Sequence, residues 1–487
     1  MKSSKPKIVC LSRSYLSRLL PTLGQQDDKF EYLHIVQTDR EEKTVRALGG
    51  EVILNIQSAI REAMAQKIPV VWNEPEDMRE ITNFKWSAVY SDRYLVHFKE
   101  AERQRIAGVL QQKLEELFSK HKFSGFISEP VALFITHLIF YYCKKNNVKP
   151  LLWCNTYFSG HFYFAAETEI SVPVRLNPLN EENTQLIHNE VYKYVNNIVS
   201  DKVGPIYHHS FSGVKQTRFD YFKQRRGESP LVLREGWISR FIQIIRLGRA
   251  MWHRLNFRSS GDFIAAGAIA EHKFYLGCLF ASRAIYDPMP ISSKGKSVVF
   301  PLQYEPEASL LYFAPQIVSQ ISFVETVLKA LPSDAILWIK EHPNQFGALD
   351  TLEWRRLKRR YGNLRYIHGR QNGRDLIKRS SLVVTISSSM GLDALLLGRR
   401  LLVAGKVFYD QFTGAVQTRS YEKLTLELNK SENYQLQDNI SSNIQELTEF
   451  SRHTYSGDPQ PSHYLYEQQN LSLLVQAIQS ELHSYMD

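Results

Sequence analysis

The chain is poor in cysteine, in long apolar runs and in repeated or compositionally biased tracts, and each shortage excludes something. Its 4 cysteines, Cys10, Cys143, Cys154 and Cys278, are scattered, with no Cys-x-x-Cys pair and no zinc-like spacing. A disulfide scaffold or zinc-organised fold is therefore not expected, and the thiols read as small buried hydrophobes of a reduced, cytoplasmic protein. No stretch approaches the ~18 uninterrupted apolar residues that a bilayer span requires. After the basic start Met1 to Lys7, the run Ile8-Val9-Cys10-Leu11-Ser12 is too short for a signal-peptide core and reads as a first strand. Acidic residues are outnumbered, 50 against 60 Lys and Arg, for a net charge of +10. That balance favours anionic partners such as acidic sugars, phosphorylated ligands or acidic lipid. The basic residues are spread along the chain without a nucleic-acid module, so no nucleic-acid partner is expected.

What is present is enough apolar material for two cores in 487 residues. Residues 7 to 175 alternate short apolar runs with amphipathic stretches. Strands are expected at Lys7-Cys10, Leu33-Gln37, Val70-Trp72, Gly125-Ile127 and Leu151-Trp153, with helices over Glu51 to Ala65, Glu100 to Lys120 and Val131 to Asn146. This rhythm is that of parallel βαβ units, one Rossmann-like half. From about 177 to 286 the pattern changes to long helical runs, read as a helical insertion of the first domain (1–290). Within it, 237–258 interleaves Trp237, Phe241, Ile244, Ile245, Trp252 and Leu255 with Arg240, Arg246, Arg249, Arg254 and Arg258. It reads either as a surface helix packed on its own domain or as a peripheral contact with the anionic inner membrane. The turn-rich run Asp287 to Lys296 is the linker. A second Rossmann-like half follows over 297–430, with strands at Ser297-Phe300, Ala335-Ile339, Arg365-Ile367, Leu382-Ile386 and Arg400-Val403. Helices are expected from about Pro315 to Leu331, and over Leu352 to Tyr361, Gly373 to Arg379 and Leu392-Leu397. Residues 431–487 form a C-terminal helical segment that packs back across the linker. The fold class is α/β.

Several strands of the second half end in polar groups, and open α/β sheets bind ligands at such ends. Ser387-Ser388-Ser389-Met390-Gly391 places hydroxyls and free N–H groups at a helix start, an anion site. Asp393, in the same helix, is placed to accept from ribose hydroxyls or simply to favour the helix dipole. Lys340-Glu341-His342-Pro343 brings a fixed positive charge, a titratable imidazole and a strand-breaking proline. Phe300 to Ser309 holds Gln303, Tyr304, Glu305 and Glu307 between prolines, suited to a sugar-facing loop. In the first half Glu129 follows a strand and is either a general base or a helix-start acid; Asn155, Thr156, Tyr157 and His161 are further acceptor-side candidates.

The run Phe-Pro-Leu-Gln-Tyr-Glu-Pro-Glu from Phe300, then Lys-Glu-His-Pro from Lys340, then Ser-Ser-Ser-Met-Gly-Leu-Asp-Ala-Leu-Leu-Leu-Gly from Ser387, resembles the capsule polysaccharide biosynthesis family of bacterial glycosyltransferases, which includes the β-Kdo transferases of capsule export. The resemblance spans about 297 to 410, and the first domain only in its rhythm. It implies a GT-B-like architecture, two Rossmann-like domains facing a cleft, with the acceptor on the first and the donor on the second. It also implies transfer from a nucleotide sugar to a glycan or lipid-linked acceptor, with no metal and no other cofactor. His342 and Pro343 resemble the family's His-Pro motif near the donor phosphate, with Lys340 beside it, and Ser387, Ser388 and Ser389 its phosphate loop. Where relatives carry Gly-x-Glu-Ala, this chain has Gly391-Leu392-Asp393-Ala394, so a UDP-sugar stands beside the favoured CMP-sugar, CMP-Kdo included. The catalytic carboxylate is sought among Glu129, Glu305 and Glu307. A nucleotide-sugar epimerase of the same architecture and a non-catalytic polysaccharide-assembly protein are the alternatives.

Overall fold

The computed structural model describes residues 5–65, 71–90, 92–156, 160–168, 181–200, 237–280, 283–290, 295–304, 312–342, 348–369, 371–436, 439–461 and 464–486. Its strands are β1 (Lys7–Leu11), β2 (Glu31–Val36), β3 (Glu51–Asn55), β4 (Gly125–Ser128), β5 (Lys149–Asn155), β6 (His161–Ala165), β7 (Lys296–Pro301), β8 (Ala335–Lys340), β9 (Leu364–Ile367), β10 (Leu382–Thr385), β11 (Arg400–Val403), β12 (Ala415–Gln417) and β13 (Tyr455–Ser456). They form two sheets, ordered β13-β6-β5-β4-β1-β2-β3 and β12-β11-β10-β7-β8-β9. Every pairing is parallel except those of β6 with β5 and with β13. Both halves are thus Rossmann-like, as the alternation of buried strands and amphipathic helices requires. In each sheet the strand order reverses once, between β4 and β1 and between β10 and β7. Crossovers leave those two places in opposite directions, so each reversal opens a crevice at the C-terminal strand ends.

Some elements differ from expectation for local reasons. The helix expected over Glu51 to Ala65 is a strand, β3, followed by a helix only from Ile56. Val52-Ile53-Leu54 pairs with β2, and the Asn55 side chain accepts from the Ser58 N–H at 3.1 Å, starting the helix there. No strand forms at Val71-Trp72, and Val70 lies outside the described residues. The Trp72 ring instead packs among Phe84, Trp86 and Phe134, and the Trp72 backbone N–H donates to the Gln104 carbonyl at 3.1 Å. The helix expected from Pro315 begins at Gln320, because Ser319 accepts from the Ser322 N–H in a capping box. Strands β12 and β13, of 3 and 2 residues, are too short to announce themselves, while β6, of 5 residues, folds back antiparallel on β5 and was not anticipated.

Long-range packing joins the segments. Helix Glu181–Val199, read from sequence as part of the first domain's insertion, buries Ile187, Val191, Val195 and Ile198 against the second sheet's core beside Leu392, Leu395 and Leu447. Asp287 in the linker accepts from Lys358 Nζ at 2.6 Å and from the Tyr366 N–H at 2.7 Å, which pins that end of the linker to β9. The C-terminal helix Gln468–Met486 lies on the first sheet, with Leu471, Leu474, Ile478 and Leu482 in one core with Ile8, Leu19, Ile127 and Trp153. Gly125 is glycine because a side chain there would meet Leu482 at 2.7 Å. Lys149 Nζ, donating to Glu481 Oε2 at 2.7 Å, anchors the helix further. Ile478 is fully buried, so Ile478→Ala should cost about 2–5 kcal/mol. Urea unfolding followed by intrinsic fluorescence checks this, and a loss below ~1 kcal/mol would show that this helix is not part of the first core.

Candidate functional site

The second sheet's crevice is built from the ends of β10, β7 and β8, which are neighbours in that order. Just past β7, Gln303 is buried; its Nε2 donates to Ser387 Oγ at 2.7 Å, across the reversal of strand order. Its backbone is held as well, since Gln303 N–H donates to Gln320 Oε1 at 2.6 Å and Gln320 Nε2 returns to the Gln303 carbonyl at 2.9 Å. Gln303 is therefore a fixed bracket between two loops. The next residue, Tyr304, sets its ring edge-on to His342, centroids 5.8 Å apart, which ties the β7 exit to the β8 exit.

The three serines do not act as one cluster. Ser387 is buried and bonded to Gln303. Ser388 caps helix Ser389–Leu396, its hydroxyl accepting from the Met390 N–H at 3.3 Å, and its own N–H donates to Thr385 Oγ1 at 3.0 Å. Ser389 opens the helix at the partly exposed surface. Tyr409 donates its hydroxyl to the Ser388 carbonyl and thereby fixes the turn. Gly391 makes that contact possible, since a Cβ there would lie 2.6 Å from the Tyr409 hydroxyl. The small residue serves the turn's anchor; the Met390 and Gly391 N–H groups are taken by the Ser388 hydroxyl and by its carbonyl at 2.8 Å, so the helix start meets an anion chiefly through its dipole.

Asp393 is committed elsewhere. Its two oxygens accept from Arg374 Nε at 3.1 Å and Nη2 at 3.3 Å, a bidentate pair whose members are both buried. An ion pair so placed fixes the helices Gly373–Lys378 and Ser389–Leu396 against each other, and removing either partner would strand a buried charge. The ribose contact considered from sequence finds both oxygens already bonded. Lys340 is likewise drawn inward, with Nζ on the carbonyls of Glu341 at 2.9 Å and Gly369 at 2.7 Å. Burial lowers its pKa to about 8, only partly offset by the Glu341 charge. It clamps the β8 and β9 exits together rather than standing as a fixed charge at the surface.

Glu341, to which no role was given, is fully buried and organises the same corner. It accepts from the Tyr286 hydroxyl at 2.8 Å, the Leu349 N–H at 3.2 Å and the Gly369 N–H at 3.0 Å. Among the described residues of this motif only His342 sits partly exposed. Burial first, and then the Lys340 charge, hold its pKa down to about 4, so the imidazole is neutral at pH 7 and offers a hydrogen bond instead of a charge. Pro343, Glu305 and Glu307 lie outside the described residues, as does Tyr157.

On the first sheet, Glu129 follows β4 and pairs with Arg13, which follows β1, across that sheet's own reversal. Thr156 donates its hydroxyl to the His161 carbonyl at 2.9 Å, and His161 Nε2 meets Glu190 at 2.9 Å, so these two brace the β5–β6 turn. Arg13, Glu341, Arg374 and Tyr409 carried no signal that residue type alone could reveal, because what defines them is contact at a distance in sequence, from 19 positions for Arg374 with Asp393 to 116 for Arg13 with Glu129. Among the described residues no group of three His, Cys, Asp or Glu is arranged to hold a metal ion.

Residues 280–448 match the family model described as capsule polysaccharide biosynthesis protein, which takes in the whole second crevice. No curated protein matches the chain. Solved structures similar to it include KpsC, beta Kdo 2,4 transferase, of Thermosulfurimonas dismutans, at 12% identity over 74% of this chain and 87% of that one, with a TM-score of 0.31. KpsC, beta Kdo 2,7 transferase, of the same organism aligns at 13% identity over 76% of this chain and 89% of that one, TM-score 0.33. The UDP-GlcNAc 2-epimerase of Methanocaldococcus jannaschii aligns at 10% identity over 90% and 98%, TM-score 0.24.

The Gly391–Tyr409 contact is directly testable. Gly391→Ala should destabilise the fold by about 1–3 kcal/mol through overpacking against the phenol, and adding Tyr409→Phe should recover part of that loss by removing the oxygen in the way. Equal and additive losses in denaturant melts would show that the two positions are not coupled.

Proposed function

We propose that the chain is a glycosyltransferase of capsule or other surface polysaccharide synthesis, taking a sugar from a nucleotide sugar, CMP- or UDP-linked, to a glycan or lipid-linked acceptor. The observation that carries this reading is the convergence of three polar strand ends at the β10–β7 reversal, within the segment that matches the capsule family model. The donor phosphate is assigned to the N-terminus of helix Ser389–Leu396, with the Ser388 and Ser389 hydroxyls beside it. His342, neutral at pH 7, donates an N–H to a phosphate oxygen, and a bound phosphate raises its pKa toward a protonated, leaving-group-stabilising state. Glu129 is assigned as the base. In the transfer the acceptor hydroxyl gives its proton to Glu129 and forms the new C–O bond, while the bond from the sugar carbon to the phosphate oxygen breaks and the nucleotide leaves with both electrons.

We assign the helix Trp237–Leu255 to contact with an anionic membrane surface. Its apolar stripe faces outward: Phe241, Ile244, Ile245, Met251, Trp252 at 67% and Leu255 at 83% exposure. From Trp237 to Gly261 there is no acidic residue, while Arg240, Arg246, Arg249, Arg254 and Arg258 are all present. An exposed apolar stripe of this size with one sign of charge fits the headgroup region of an acidic leaflet. No helix among the described residues is long and apolar enough to cross a membrane.

Two outcomes are expected. His342→Ala should lower transfer from a nucleotide sugar by about 10²-fold or more while costing less than ~1 kcal/mol of stability. A thermal-shift panel of CMP, UDP and GDP should show one nucleotide stabilising the wild-type chain, by ~2.7 kcal/mol at ~100 times its dissociation constant. Full activity in the variant would sink the role given to His342, and no response to any nucleotide would sink the transferase reading. In flotation assays the protein should rise with vesicles containing phosphatidylglycerol and stay down with purely zwitterionic ones. Trp252→Ser with Leu255→Ser should abolish the flotation, and its persistence would remove this helix from the contact.

A further inference from the structure

The first sheet has a reversal of its own, between β4 and β1, and it collects an unusual set of polar groups. The register aligns Cys10 with Ile127 and Leu11 with Ile35, so Arg13 and Gln37 stand at one level beyond β1 and β2, with Ser128 two residues lower at the end of β4, opposite Leu11. The ion pair of Arg13 with Glu129 ties the first two exits together. Glu41 ties the other side, accepting from the Ser14 N–H at 2.7 Å through one oxygen and from the Gln37 and Thr38 N–H groups at 3.0 Å through the other. Ser14 takes a left-handed φ of 52°, a tight corner between Arg13 and Tyr15.

Within this frame four side-chain atoms are buried with no hydrogen-bond partner: Arg13 Nε, Tyr15 Oη, Gln37 Nε2 and Ser128 Oγ. Buried polar atoms are nearly always paired, because leaving one unpaired costs about 1–3 kcal/mol. Four orphans at one crevice therefore call for a shared partner. Arg13 Nε and Gln37 Nε2 can only donate and the two hydroxyls can donate as well, so a partner that satisfies all four supplies acceptors. Burial, with the nearby Glu129 charge, pushes the Tyr15 pKa well up, so its hydroxyl keeps its proton. The Arg13 guanidinium offsets the Glu129 charge and leaves Nε for a further acceptor.

We infer that Arg13, Tyr15, Gln37 and Ser128 form an oxyanion site at the β4–β1 reversal, taking a carboxylate or phosphate group of the molecule bound on the first half. Calling that molecule the acceptor rests on the transferase reading; the site itself does not. An acidic group seated there places the rest of its sugar beside Glu129, which positions a hydroxyl for the base. The site would thus select acidic acceptors over neutral ones of the same shape, since a neutral ligand leaves the buried donors unpaired.

Isothermal titration of the full chain with glucuronate, glucose and inorganic phosphate tests this. Glucuronate or phosphate should bind and glucose should not; binding of glucuronate alone identifies a sugar carboxylate, and binding of phosphate alone a phosphate group. In Tyr15→Phe/Ser128→Ala the dissociation constant for that anion should rise at least tenfold, while the ligand-free melting temperature is kept or raised because two orphaned hydroxyls are gone. No binding of either anion, or unchanged binding in the double variant, overturns the site. The CMP and UDP response of the same double variant should equal that of the wild type. A nucleotide response absent from both proteins, with anion binding intact, would remove the transferase reading and leave the oxyanion site standing.

Discussion

The constraint on which the rest depends is the single reversal of strand order in each parallel sheet. A right-handed crossover must leave a central strand to one side or the other, and where two neighbours leave oppositely no helix covers the gap between them. In this chain both gaps are bridged by side chains, Gln303 to Ser387 in the second sheet and Arg13 to Glu129 in the first. The two bridges differ in chemistry. An amide–hydroxyl bond carries no charge and leaves the helix start beside it as the dominant field, whereas a guanidinium–carboxylate pair brings its own charges. The second crevice is accordingly suited to an anion held by backbone dipoles, the first to a ligand read by side chains.

Around the second crevice, three of the described charged side chains are committed to partners inside the fold. Asp393 is neutralised by Arg374, Lys340 is spent on two carbonyls, and Glu341 on three donors. Each is a buried charge that would be costly unpaired, and each is paired with groups from another element. Their energy goes into fixing the positions of the loops that carry Tyr304, His342, Ser388 and Ser389. The residues of the motif that look most reactive in sequence are thus the frame, and the milder ones occupy the opening.

The strands and helices of the second half were legible because each is a short buried run with matched periodicity: Leu382–Thr385 and Ala335–Lys340 fall within a residue of expectation. The turn into helix Ser389–Leu396 was legible too, since serines before a glycine-containing helix have a local meaning. What residue type could not convey is which hydroxyl goes where. Three consecutive serines look equivalent in sequence, yet Ser387 is claimed by a glutamine 84 positions away and Ser388 by its own helix. The same reason hid β3, where Val52 to Leu54 suits a strand only because β2 stands beside it, and hid the outward stripe of Trp237–Leu255, whose periodicity is equally that of a packed helix. Periodicity states that a face is apolar; neighbours decide whether it is covered.

The neutral state of His342 shapes what the second crevice can do. A histidine at its usual pKa would bring partial positive charge to the opening at pH 7, but burial and Lys340 hold it near 4. An arriving phosphate reverses that balance, because an anion favours the protonated ring by the same electrostatics with which Lys340 disfavours it. In the proposed transfer, positive charge would therefore develop only when the ligand is present and as negative charge builds on the leaving oxygen. An empty crevice with a permanent cation would hold any passing polyanion, whereas one whose charge is summoned by its ligand spends its binding on the transition state. Lys340, buried two residues earlier, adds to burial, the larger cause, in keeping the ring neutral.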